Sequence, residues 1–198
     1  MCGNGVRCIG KYVYERGIVR KPELSIETLG GIKRLRLRLD GDCVPGATVS
    51  MGVPVVEFTN KPVQVGRPAR GLSLTAVNMG NPHAVALVDT PLSEFPMEQI
   101  GAQVERHALF PKRTNFEAVN VVSPRELRVR VWERSVGITL ACGTGACAAT
   151  VAARLAGKIG DEVAVHLPGG TLTIGWDGVG EVQMSGPATT VFDGEWPL

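Results

Sequence analysis

The spacing of hydrophobic residues changes period several times along the chain, and each change marks an element. Directly after Met1-Cys2-Gly3-Asn4-Gly5, the run VRCIGKYVYERG places Val6, Ile9 and Val13 on one helical stripe and stops at Gly17, a C-terminal cap residue. Period two then takes over. LSIETL and IKRLRLRL alternate apolar and polar residues on either side of Gly30-Gly31, which predicts a hairpin with a two-glycine turn. LSLTAVNM and HAVALVD read as strands flanking Gly80-Asn81-Pro82, MEQIGAQVERH as a short surface helix of mixed charge, and NFEAVNVV and ELRVRVWER as two further strands. The glycine-rich turn Cys142-Gly143-Thr144-Gly145 opens ACAATVAARLAGK, a helix ending at Gly157 with almost no polar face, so burial on every side is expected. EVAVHL, TLTIGW and EVQMS follow as a run of antiparallel strands. Pro45-Gly46 and the Pro- and Gly-containing stretch from Gly52 to Gly71 mark a boundary between two lobes.

Hydrophobic residues fill 44% of 198 positions, enough for a true core in one domain or in two small ones. Charge changes the picture little: 21 Lys and Arg against 19 Asp and Glu leave +2, no broad field for nucleic acid or an anionic membrane. The densest basic strip, Lys33, Arg34, Arg36 and Arg38, alternates with Leu35, Leu37 and Leu39 and has no interleaved aromatics. It reads as the solvated face of a strand. No apolar run nears the ~18 residues that span a bilayer, and the N-terminus shows no signal pattern, so a cytoplasmic protein is expected. Cys2, Cys8, Cys43, Cys142 and Cys147 are an odd number of cysteines in a chain too long to need disulfide staples, which predicts free thiols in a reducing compartment.

A shift of 140 residues lays Cys2, Gly3, Gly5 and Gly17 onto Cys142, Gly143, Gly145 and Gly157, pairing two cysteine-helix units at both ends of their helices. A cysteine at a helix N-terminus faces unpaired N–H groups and the positive end of the helix dipole, which predicts a thiol pKa below the free value of ~8.5. The same N–H groups can hold a substrate carboxylate. Two such units face to face would put one acid/base group on each side of a single carbon, the arrangement that inverts a stereocentre. Cys8, Cys43 and Cys147 read as small buried hydrophobes. The spacings Cys2-x5-Cys8 and Cys142-x4-Cys147 are wide for a zinc site and lie across helices, and no Cys-x-x-Cys redox pair is present. Taken singly, His83, Asn81 and Asn115 are ordinary turn or surface residues, and Glu133 and Arg134 a solvated strand end.

The strings MCGNGVRC and ERSVGITLACGTGACA, with NMGNPHAV between them, resemble the signatures of the diaminopimelate epimerase family in order and spacing. Proline racemases of the same superfamily typically carry histidine after the first Cys-Gly, where this chain has Asn4. The resemblance implies an α/β (α+β) fold of two pseudo-symmetric lobes, each a mainly antiparallel sheet curled around a central helix, with the site between them. It implies interconversion of LL- and meso-diaminopimelate, on the route to lysine and peptidoglycan, with Cys2 and Cys142 as proton-transferring groups. No metal, pyridoxal phosphate or nucleotide is implied, and the partner is a small-molecule substrate, a homodimer being left open. Gly3, Asn4, Gly143 and Thr144 would offer helix N-terminal donors, Asn81 and Asn115 would bind substrate, and Glu133 with Arg134 would grip its charged groups. His83 and Glu133 would adjust the thiols. Ser135 and Ile138 depart from the family pattern, standing where many relatives have glycine and glutamate. A different amino-acid racemase, or a non-catalytic thiol-containing binding or redox protein, remains the alternative.

On this reading residues 1–45 and a C-terminal strand from Pro187, within 187–198, form the first lobe, and 46–186 the second. Residues 46–141 precede Cys142 within its lobe whereas one residue precedes Cys2, an asymmetry that predicts an incomplete first lobe and a chain with weak or no activity. Expressing the given chain beside a version extended upstream in the reading frame, and comparing solubility and epimerisation, checks this. A short chain as active as the long one refutes it.

Overall fold

The computed structural model of the chain describes residues 2–66 and 69–195. Among the described residues, one twelve-stranded sheet connects the strands. In chain order the elements are α1 (Gly3–Glu15), β1 (Glu23–Ile26), β2 (Lys33–Asp40), β3 (Cys43–Gly52), β4 (Val55–Val65), β5 (Arg70–Asn78) and β6 (Pro82–Leu87). Then come α2 (Met97–Glu105), β7 (Asn115–Ser123), β8 (Glu126–Glu133), β9 (Gly137–Thr139), α3 (Gly143–Leu155), β10 (Glu162–Leu167), β11 (Gly170–Gly175) and β12 (Val182–Pro187). The sheet order is β1-β2-β3-β12-β11-β10-β8-β7-β6-β5-β4, with β9 added beside β8.

Pairing is antiparallel except at two places, β6 with β7 and β8 with β10. Those are the pairs separated in sequence by α2 and by α3, and a helix-length crossover is what permits parallel neighbours. The antiparallel run expected at the C-terminal end is found in β10, β11 and β12, and β10 pairs on its other side with β8 in parallel. Residues 188–195 form no strand: one hydrogen bond from the Ala188 N–H to the Pro45 carbonyl prolongs β12, and the pairing with β3 ends there. The C-terminal strand expected from Pro187 is thus β12 itself, which finishes at that residue.

Strands β5 to β8 have cores on both faces. On one side α3 is buried continuously from Thr144 to Ala153, packed against β5 to β8 and β10 to β12. Its alanines let the strands close in, as the missing polar face foretells. On the other side Met97, Ile100 and Val104 of α2 meet Leu74, Ala84 and Phe116. Double coverage accounts for the unbroken apolar run in β6, buried from His83 to Ala86. So α2 is half core, and its description as a surface helix is corrected.

Two stretches differ in detail from their glycine and proline pattern. The region from Gly52 to Gly71, read as a lobe boundary, is mostly the long β4–β5 hairpin. Pro62 and Asn60, the latter at φ 49°, are tolerated because β4 lies at the end of the sheet and its register shifts there. The β1–β2 connection spans residues 27–32 instead of two glycines, and only Gly31 in it has positive φ. The basic strip is as expected, with Leu35 and Leu37 buried and Arg34, Arg36 and Arg38 exposed. Cys8 and Cys43 are exposed, contrary to expectation, and Cys147 alone of that trio is buried.

Helix α1 lies on β2, β3 and β12 through Gly3, Val6, Arg7, Gly10 and Tyr14. Ile9 faces outward, one correction to the expected stripe. Gly10 sets the approach, since a Cβ there would stand 3.0 Å from Leu35 and Leu37 methyl carbons. Gly101 of α2 makes a tighter fit: a Cβ would sit 2.7 Å from Trp132, whose indole N–H is held by Glu105 at 2.8 Å. Gly101→Ala should lower stability by about 1 to 2 kcal/mol, overpacking outweighing the gain in helix propensity. Urea unfolding monitored by circular dichroism measures it, and a neutral or stabilising result contradicts the close packing.

Candidate active site

The two cysteine units are built alike in atomic detail. Cys2 and Cys142 are both N-cap residues with extended backbone, at φ −113° and −136°, and each Sγ accepts the N–H of the residue three further on, Gly5 or Gly145, at 3.4 Å. Both helices run for 13 residues and are followed by Gly17 and Gly157 at φ 71° and 68°. A left-handed residue just past the last turn is where glycine is preferred. The four matched positions are thus the two caps and the residues they depend on.

A single side chain seats both first turns. Met184 of β12, fully buried, lies where a Cβ on Gly3 would be and 3.0 Å from one on Gly143. A larger residue after either cysteine would have to push the Met184 side chain aside. The Asn4 side-chain oxygen, Oδ1, in turn lies 3.8 Å from the Gly143 Cβ position. This brings Gly3, Asn4 and Gly143 together at the meeting of the two helix starts. Thr144, buried, places its hydroxyl 3.4 Å from the Cys142 sulfur.

Around Cys142 the β6, β7 and β8 ends contribute polar groups. His83 is buried, with Nδ1 2.7 Å from Glu117 Oε1 and Nε2 3.1 Å from Asn81 Oδ1. Asn115 works as a staple: its amide donates to the Pro82 carbonyl at 3.0 Å, and its Oδ1 accepts the Arg134 backbone N–H at 2.8 Å. It therefore ties the β6 entrance to the loop after β8. Arg134 is exposed, and its guanidinium donates to the Lys112 carbonyl. Glu133 is half-buried and pairs with Gly137 of β9 across the same loop. Ser135 in that loop has φ 65°, a left-handed backbone that favours glycine, the residue the family resemblance implies at this position.

Electrostatics overturn one expectation. The Cys142 thiol is pushed up to about 12, first by burial and then by the nearby Glu117 carboxylate, with Thr144 and the Gly145 N–H pulling the other way. A helix terminus contributes about 0.3 to 1 kcal/mol, below the 1.36 kcal/mol of one pKa unit, while burial shifts a group by up to about 3 to 5 units. Desolvation wins. Cys147, one turn further into α3, is also pushed up by burial.

Two residues at this site carry no clear signal in the sequence. Glu117 sits in an apolar strand, and only its spacing of two from Asn115 puts it on the same face of β7. Arg7 is buried on α1, donating to the Pro187 carbonyl at 3.2 Å and the Asn4 side chain at 3.1 Å, with Met184 sulfur alongside. No carboxylate pairs with it among the described residues. Its position three after Asn4, one helical turn on, was the available clue.

Exposure separates the two cysteines, Cys2 being exposed and Cys142 buried, and burial pushes the Cys142 thiol up. With iodoacetamide and peptide mapping, Cys2 should be alkylated much faster than Cys142 near neutral pH. The gap should narrow as pH rises toward 12, because only then does Cys142 gain thiolate. Equal rates at pH 7 contradict this geometry.

Comparison with known proteins finds relatives both in sequence and in fold. The family model described as diaminopimelate epimerase matches residues 75–191. The chain is 48% identical over 204 residues to the diaminopimelate epimerase of Desulfitobacterium hafniense, covering 98% of this chain and 72% of that protein. It is 47% identical to that of Moorella thermoacetica, covering 100% and 75%. Among solved structures, a probable proline racemase from Agrobacterium radiobacter superimposes with a TM-score of 0.71 at 15% identity, over 98% of this chain and 68% of the other. A phenazine biosynthesis protein from Bacillus anthracis does so with a TM-score of 0.70 at 12% identity, over 94% and 73%. These structural likenesses establish the shared fold, and the sequence relatives establish that the chain belongs to the diaminopimelate epimerase family of isomerases.

Proposed function

We propose that the chain interconverts LL- and meso-diaminopimelate by a two-thiol proton transfer, on the route to lysine and peptidoglycan. The observation that carries this reading is the pair of cysteine N-caps whose helices start side by side on Met184. One cysteine, as thiolate, removes the α-proton and becomes a thiol. The other, as thiol, delivers its proton to the opposite face and becomes the thiolate, so the reverse reaction starts with their roles exchanged. Charge on the carbanion and its carboxylate would be met by helix N-terminal N–H groups at Gly3, Asn4, Gly143 and Thr144.

The remaining residues fit roles around the substrate. Asn81 and Asn115 would hold its amino-acid end, and Glu133 with Arg134 its charged groups. For Arg134 this requires the guanidinium to leave the Lys112 carbonyl, an exposed contact that is weakly held. His83 and Glu133 would set the charge around Cys142, where Glu133 already opposes thiolate formation. A raised thiol pKa suits a proton donor that must stay protonated until the carbanion forms.

In an active form of the enzyme, Cys2→Ala and Cys142→Ala should each abolish conversion in both directions. Chiral chromatography of the two stereoisomers, with proline and hydroxyproline assayed alongside, measures it. More than a few per cent of parental activity in either variant would falsify the two-thiol reading. Inversion of proline in preference to diaminopimelate would instead select another racemase of this fold.

A further inference from the structure

We propose that Glu117 is a positioning residue of this site: its carboxyl group, acting through the His83 ring, fixes the direction in which Asn81 presents its side-chain amide. The proposal rests on the reading of Asn81 as a substrate ligand. Three contacts carry it. Glu117 Oε1 lies 2.7 Å from His83 Nδ1, and His83 Nε2 lies 3.1 Å from Asn81 Oδ1. On the third side, a Cβ added to Gly145 would stand 2.7 Å from the same Glu117 oxygen, so the carboxyl group is pressed against the turn that Cys142 caps.

A structural role alone accounts poorly for this carboxyl group. Glu117 is fully buried, and its second oxygen, Oε2, has no hydrogen-bond partner. Such a group costs stability that an apolar residue of similar size would not. What it does supply is a partner for the imidazole. Both ring nitrogens face oxygen atoms, and Asn81 Oδ1 only accepts, so Nε2 carries a proton. A second proton then lies between Nδ1 and Glu117 Oε1. Burial pushes the Glu117 carboxyl up and the adjacent ring pulls it back, which suits a shared proton. With Oδ1 engaged, Nδ2 is the end of Asn81 left to donate, and a substrate carboxylate is the acceptor it fits.

The groups facing this relay are Asn81 and His83 at β6, Glu117 on β7, Glu133 at the end of β8 and Cys142 at the start of α3. Removing the Glu117 carboxyl leaves Nδ1 without a proton to share. The ring then has one proton instead of two, and only the contact with Asn81, whose amide can turn over, holds it on Nε2 in preference to Nδ1. With the proton on Nδ1, Asn81 must turn its amide over, exchanging donor for acceptor.

Nuclear magnetic resonance of the labelled chain tests this without requiring turnover. The chain has three histidines, so His107→Gln and His166→Gln assign His83 by elimination. The expected wild-type spectrum shows an Nε2–H correlation and a far-downfield bridging proton for His83. In Glu117→Gln the bridging proton should vanish and the Asn81 side-chain amide signals should move. Glu117→Asp, which keeps the carboxyl group but draws it back by one methylene, should weaken the bridge and move the same signals. A wild-type His83 protonated only at Nδ1 overturns the proposal, whatever the variants do. Loss of the bridge with Asn81 signals unmoved, in either variant, also overturns it. Because these spectra report on the resting protein, failure of the two-thiol assay and failure of the relay are separate outcomes.

Discussion

A helix begins with backbone N–H groups that have no partner inside the helix, and something must accept them. Here the acceptor at both α1 and α3 is a cysteine sulfur, 3.4 Å from the third residue's nitrogen. The rest of the site follows from that choice. A sulfur held by its own helix has a fixed direction, the glycine after it allows close approach to Met184, and the neighbouring N–H groups stay free for an anion. Ser, Thr, Asp or Asn would cap as well or better. Cysteine at both positions exchanges cap strength for a group that can carry a proton.

The twin caps are set in unlike surroundings. Helix α3 is enclosed by strands on all sides, so Cys142 meets desolvation and a buried carboxyl group. Helix α1 rests on β2, β3 and β12, and its sulfur is exposed. Similar local geometry therefore sits in two different environments, and at Cys142 burial outweighs the helix terminus and pushes the thiol up. Arg7 shows the same imbalance from the other sign of charge, a buried guanidinium served by a carbonyl and an amide oxygen.

Much of this was legible in the residues. The cap pattern Cys-Gly-x-Gly with a glycine after the helix encodes backbone constraints directly, and both copies fold as spelled. The alanine-rich face of α3 and the leucine-arginine alternation of β2 likewise report their surroundings without ambiguity. Residues 52–71 form strands despite their proline and left-handed residues, which usually end a strand, because the position of β4 at the sheet's end relaxes that rule. The lowered Cys142 pKa was misjudged because a sequence shows the helix start but not the depth at which it lies. Glu117 was invisible for a related reason: alternation places it inside, and inside a sheet a lone carboxylate has no pattern to announce it.

The sheet order also bears on synthesis. Strand β3, complete at Gly52, pairs on one side with β2 and on the other with β12, which begins only at Val182. At ribosomal rates of about 5 to 20 residues per second, its open edge waits on the order of ten seconds before its partner exists. During that interval Val44, Val49 and Met51, fully covered in the finished fold, belong to an unfinished sheet. Nascent chains on neighbouring ribosomes present the same edge, so the first three strands are where a chaperone would have most to do.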